Sequence, residues 1–137
     1  MKKFIKIFSI LLVALTITGC GSKKKNEDKK ETPVKIEMKD KEVVKEQTVK
    51  GLKISNVNMQ VIDGMTNFSA KVTNTTKEDM KVETVKIIVK DENKKEMAKL
   101  TGYVGSILKP NETKDIINTT DIDLSKAKSI SYEIEQE

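Results

Sequence analysis

The chain has 137 residues with 26 lysines and 21 acids, and it contains no arginine, histidine or tryptophan. Lacking histidine, it has no Ser-His-Asp triad, no His-ligated zinc site and no histidine pH switch. Lacking arginine, it has no bidentate reader of phosphate or guanine, and the 23 lysines and 21 acids from Cys20 onward leave a net charge of only +2, too balanced for a dedicated nucleic-acid binder.

The first element is an N-terminal signal. Lys2, Lys3 and Lys6 form a positive region, residues 7–17 are almost wholly apolar, and small residues precede Cys20, the only cysteine. The apolar run is shorter than the roughly 20 residues that span a bilayer, and a plain secretory signal has no use for a cysteine just past its cleavage site. Ile17-Thr18-Gly19-Cys20 resembles the lipobox of bacterial lipoproteins. That resemblance implies cleavage between Gly19 and Cys20 and a diacylglyceryl group on the Cys20 thiol, which leaves Cys20 unable to act as nucleophile, metal ligand or disulfide partner. Two acyl chains hold stably where one anchors only marginally. The all-lysine cation content resembles that of a low-GC Gram-positive bacterium.

Residues 21–50 carry ten lysines and seven acids, few large apolar side chains and no aromatics. Such a stretch cannot bury enough surface to offset its ordering entropy, so residues 20–50 are expected to be a lipidated N-terminus and charged linker. Lys23-Lys24-Lys25 is positioned to touch anionic headgroups or to act as a solubilising spacer. Val34, Ile36 and Met38 alternate like a short strand, so the folded part can begin earlier or gain an edge strand here.

From Gly51 the pattern becomes strand and turn. Leu52 and Ile54 alternate, then Val57, Met59 and Val61 alternate in the opposite phase, which predicts a bulge or a bend between two short strands. Asp63-Gly64 predicts a tight hairpin. Phe68, Ala70 and Val72 follow as a strand, and residues 74–79 as a polar loop. Met80, Val82, Val85, Ile87 and Val89 form a longer strand with a phase slip near Thr84. Residues 91–94 predict a turn into a strand over 97–103, with Gly102 and Gly105 marking bends. Lys109-Pro110-Asn111-Glu112 predicts a turn, residues 113–120 a strand with Ile116 or Ile117 inward, and residues 121–127 a turn with one short helical turn capped by Asp121 or Asp123. Ile130, Tyr132 and Ile134 close the series. Six or seven short strands over residues 51–137 predict an all-β, antiparallel sandwich.

The runs Val72-Thr73-Asn74-Thr75-Thr76, Val85-Lys86-Ile87-Ile88-Val89-Lys90-Asp91, Leu108-Lys109-Pro110-Asn111-Glu112 and Leu124-Ser125-Lys126-Ala127-Lys128-Ser129-Ile130 are similar to FxLYD-type domains. The name motif falls on Ile87 to Asp91: Ile87 stands for phenylalanine, Val89 for leucine and Lys90 for tyrosine, while Asp91 is kept. The resemblance covers about residues 51 to 137. It implies a small immunoglobulin-like sandwich in a Gram-positive lipoprotein or surface protein, with no catalytic residues to carry over.

Other features read more simply as structure than as sites. Asp121 and Asp123 share one side of an extended segment and could offer oxygens to Ca²⁺, but without EF-hand spacing they are expected to cap a turn. The sequons at Asn67, Asn74, Asn111 and Asn118 read as strand and turn composition. Met59, Met65, Met80 and Met97 read as core filler rather than a soft Cu(I) set. Tyr103 and Tyr132 could rim a glycan or peptide site, with cross-strand packing as the default. No metal, cofactor or catalytic set is expected. The functional expectation is a lipid-anchored, extracytoplasmic lipoprotein whose non-catalytic sandwich binds or scaffolds an envelope protein, peptide or wall component. The alternative is a structural or stress-related envelope lipoprotein with no dedicated ligand.

Overall fold

Inward-facing apolar side chains alternate with outward polar ones along nearly every strand of the computed structural model, which describes residues 32–136. The lipidation and cleavage positions Cys20 and Gly19, and the linker up to residue 31, lie outside the described residues. The elements are β1 (Lys35–Glu37), α1 (Lys41–Val44), β2 (Gln47–Val49), β3 (Leu52–Ile62), β4 (Met65–Asn74), β5 (Met80–Lys90), β6 (Glu96–Leu108), β7 (Thr113–Thr120) and β8 (Ser129–Glu135).

Two antiparallel sheets result. The first has the order β1-β3-β4-β7, with β2 pairing the same strand β3 further along. The second has the order β6-β5-β8. The chain crosses between sheets after β4, β6 and β7, so the pairs β4–β7 and β5–β8 interlock as in immunoglobulin-like sandwiches. Between the sheets lie Leu52, Ile54, Met59, Phe68 and Val72 from the first, and Val82, Val85, Ile87, Leu108 and Ile134 from the second. Each such side chain contributes about 1.5–3 kcal/mol through burial. Gly102 on β6 lets the two sheets approach closely: a Cβ there would lie 2.8 Å from Ile116 Cδ1 on β7.

The phase slips are bulges. In β3 the register shifts between Ser55 and Asn58, with Asn56 at φ 50° absorbing the extra residue. Opposite Val82–Thr84 of β5 the extra residue lies on β6, between Tyr103 and Ser106, where Gly105 has φ 59°. Asp63 and Gly64 both have positive φ (50° and 80°), as a two-residue primed hairpin turn requires. Ile116 is buried and Ile117 exposed.

Three expectations are corrected. The linker does not extend to residue 50: from Lys35 onward it is folded onto β3, and Lys50-Gly51 is a hairpin turn with φ of 50° and 82°. Charge content misleads here because the segment needs only a few apolar side chains. Val43 on α1 is fully buried, Met38 is buried, and Val44 and Val49 pack against the same core. Over residues 51–137 the six strands β3–β8 match the expected six or seven, and β1 and β2 bring the total among the described residues to eight. The strand expected over residues 97–103 runs from Glu96 to Leu108, passing through Gly105 without ending. Over residues 121–127 no helix forms; the expected helical turn is a single hydrogen-bonded turn in which Ala127 N–H donates to Leu124 O (2.9 Å), and buried Leu124 plugs the core.

Candidate functional site

Strand directions define two ends. The chain enters beside the Asp63-Gly64 turn, where Val34 N–H donates to Asp63 Oδ1 (3.1 Å) and Asp63 N–H donates to Val34 O (3.2 Å). The opposite end gathers the Lys50-Gly51 turn, the β4–β5 loop, the β6–β7 turn and the last residues of β8.

Asn74, fully buried, organises that opposite end. Its Nδ2 donates to Glu78 O (2.7 Å) and Leu108 O (2.9 Å), and its Oδ1 accepts from Thr76 N–H (2.9 Å) and Thr76 Oγ1 (2.8 Å). Its backbone N–H donates to Glu112 O (3.1 Å), and its carbonyl accepts from Asn111 N–H (2.8 Å). One side chain thus fixes two loops, the arrangement that makes loop surfaces serviceable for recognition. A cavity of about 440 Å³ opens there, lined by residues including Lys77, Asp79, Lys81 and Gln136.

Beside it on β6 stand Tyr103, 66% exposed, and Ile107. Tyr103 lies over Gly105: a methyl group at that glycine, whose φ is +59°, would overlap the phenol ring. Among the described residues Tyr103 is the exposed aromatic, held flat on the sheet and open to a partner. Across β5, Thr84 stands in register with both Tyr103 and Glu135. Thr84 Oγ1 donates to Glu135 Oε2, and this bond, aided by Lys86 (3.5 Å) and Lys99, holds the carboxyl below the usual glutamate range.

The other residues singled out in the sequence are dispersed. Asp123 Oδ1 accepts from Ser125 N–H (2.9 Å), and hydrogen bonds from Ser125 hold its carboxyl below the usual range; Asp121 is exposed nearby. Met59 and Met80 are buried, Met97 is half-buried and Met65 is exposed on the outer face of the first sheet. Asn67 bonds Thr119, Asn111 occupies the left-handed position of the β6–β7 turn, and Asn118 Nδ2 donates to Thr101 O (3.0 Å). Tyr132 is buried in the core, and its hydroxyl has no hydrogen-bond partner among the described residues. Burial pushes its ionisation far above the usual tyrosine range. The central role of Asn74 is hidden in the sequence by its place in a run of Asn and Thr; Tyr103 stands there as a possible rim residue and Gly105 as a bend, but not the contact between them.

No helix among the described residues is long and apolar enough to cross a membrane. The fold and this surface define a small antiparallel β-sandwich with loops locked at one end. No protein-family model, curated protein or solved structure matches the chain.

Proposed function

We propose that this is an extracytoplasmic bacterial lipoprotein, anchored through a diacylglyceryl group on Cys20 after cleavage behind Gly19. Its non-catalytic β-sandwich binds or scaffolds an envelope protein, peptide or wall component. The supporting observation is polarity: the chain enters the sandwich beside Asp63-Gly64, while the Asn74-bound loops, the cavity and the exposed Tyr103–Ile107 pair lie toward the opposite end. An anchored module that meets a partner needs that separation.

The FxLYD resemblance supports the same reading through its physical parts. Ile87 and Val89 are fully buried on β5, and Asp91 Oδ1 caps the following turn by accepting from Asn93 N–H (2.8 Å) and Lys95 N–H (3.0 Å).

Photocrosslinking from position 103 in intact cells tests the reading, with Cys20→Ala as companion. The expectation is a defined envelope partner, and a Cys20→Ala protein that is unprocessed or released from membranes. Recovery of background proteins alone favours the structural alternative, and detergent-dependent membrane partitioning of a processed Cys20→Ala protein removes the lipid anchor.

A further inference from the structure

The outer face of the first sheet differs in kind from the rest of the surface. In register across β3, β4 and β7 stand Asn58, Ser69 and Ile117 in one row and Gln60, Asn67 and Thr119 in the next. Those six side chains are uncharged in a chain that is 34% charged. The row above closes with the Lys71–Asp115 pair at 2.9 Å. On the second sheet the outer rows carry Lys86 with Glu135 and Lys99 with Glu133, so charge is the rule and the neutral strip the exception.

A shallow cavity of about 250 Å³ lies on this strip, lined by Asn58, Gln60, Asn67, Phe68, Ser69 and Ile117. Thr119 Oγ1 and Asn67 Oδ1 lie 2.9 Å apart, a hydrogen bond that leaves the Asn67 amide nitrogen free to donate outward. Among the described residues the side chains of Asn58, Gln60 and Ser69 hold no hydrogen-bond partner. Ile117, 71% exposed on β7, supplies an apolar contact at the border of the strip. Strand spacing sets these groups on a lattice of about 4.8 Å across the sheet and about 7 Å along it.

We infer that this strip binds a neutral glycan, as a second surface separate from the loop end and Tyr103. Planar amides and hydroxyls satisfy sugar hydroxyls in both donor and acceptor senses, while Ile117 meets the C–H face of a sugar ring. The competing occupants fit less well. Nucleic acid requires cations that the strip lacks. An extended peptide pairs with a strand edge, whereas most of this face lies on β3 and β4, which have strand partners on both sides. A membrane surface calls for a cationic or strongly apolar face.

The test is calorimetric titration of the full chain in detergent with chitotetraose, using tetragalacturonic acid as the charged control. The neutral tetramer is expected to bind and the charged one not. The Asn58→Ala/Asn67→Ala double variant is expected to bind about tenfold or more weakly, since two hydrogen bonds are lost. Ile117→Lys, which touches no buried group, is expected to weaken binding similarly, and Tyr103→Ala to leave it unchanged. Absence of tetramer binding, unchanged affinity in the strip variants, or loss confined to Tyr103→Ala overturns the assignment. So does concentration-dependent dimerisation that Ile117→Lys abolishes, because a second copy would then be the occupant. None of these outcomes touches the envelope partner sought by crosslinking, so the two proposals fail separately.

Discussion

Asn74 offers the sharpest test of how the loop end is held. Replacing it with alanine removes four side-chain hydrogen bonds, to Glu78 O, Leu108 O, Thr76 N–H and Thr76 Oγ1. At about 1 kcal/mol net for each bond the loss reaches about 4 kcal/mol. Water can reach the partly buried Glu78 O and Thr76 N–H, but not readily Leu108 O, whose bond is buried. The expected cost of Asn74→Ala is therefore about 3 kcal/mol, a large share of the 5–15 kcal/mol typical of a domain. Urea unfolding followed by circular dichroism measures it as a lower midpoint at unchanged slope. Asn74→Asp separates donor from acceptor: it keeps the two acceptances and loses both donations. At pH 7 its carboxylate would face two carbonyl oxygens, so the Asp variant should be no more stable than the Ala variant. Protonation at low pH restores one donor, and the gap between the Asp variant and the wild type should narrow below about pH 5. A cost for Asn74→Ala under about 1 kcal/mol would show that the loops are held by something other than this side chain.

Three further outcomes follow from named contacts. Tyr132→Phe removes a buried hydroxyl that has no partner, so urea unfolding at pH 7 should show no loss and up to about 1 kcal/mol of gain; a loss above about 1 kcal/mol would reveal a bound water or other partner. Because the folded tyrosine ionises above its ordinary value, its contribution is intact below about pH 10 and declines above it, a decline the Phe variant should lack. Thr84→Val should move the Glu135 carboxyl back toward the usual range in an NMR titration, since the Thr84 hydroxyl is the main cause of its lowering. The stability this group lends is present above its ordinary value and fades as pH falls through the lowered one, so the Thr84→Val chain should lose less on acidification; an unmoved titration would remove Thr84 as the cause. Gly105→Ala should destabilise by about 2 kcal/mol or more, combining a left-handed φ with ring overlap. In a Tyr103→Ala background only the φ penalty of about 1 kcal/mol should remain, and equal costs in both backgrounds would mean that the ring does not rest on this glycine.

The strands from Leu52 onward were legible because period-two alternation is written residue by residue, and the bulge in β3 and the register shift between β5 and β6 showed as breaks of phase at residues 55–58 and near Thr84. Asp63-Gly64 carried its turn type in its side chains. Lys50-Gly51 makes the same positive-φ turn without an Asn or Asp at its first position, so the boundary drawn at Gly51 falls inside a hairpin. The neutral strip was illegible for a different reason. Asn58, Gln60, Asn67, Ser69, Ile117 and Thr119 come from three strands, and only the register of β3, β4 and β7 makes them neighbours. Cross-strand pairing is tertiary information, and a single sequence read along its length does not contain it.

The segment at residues 35–49 then acquires a structural purpose. A sandwich with sheets ending at β3 and β8 exposes two strand edges on the same side, and bare edges invite pairing with other chains. β1 and β2 occupy the edge of β3. Gln47 Nε2 donates to Ile130 O on β8 (2.7 Å), and Asp40 faces Lys128 at 3.6 Å, so the same segment reaches across to the second sheet. On the other side Asn118 and Lys114 of β7 bond Thr101 O (3.0 Å) and Ser106 Oγ (2.5 Å) of β6, joining the remaining two edges by side chains. The amides of Gln47 and Asn118 thus protect strand carbonyls where no strand pairs. A chain read as recognising partners through its faces and loops needs that protection, because an open edge would pair with any extended segment it met.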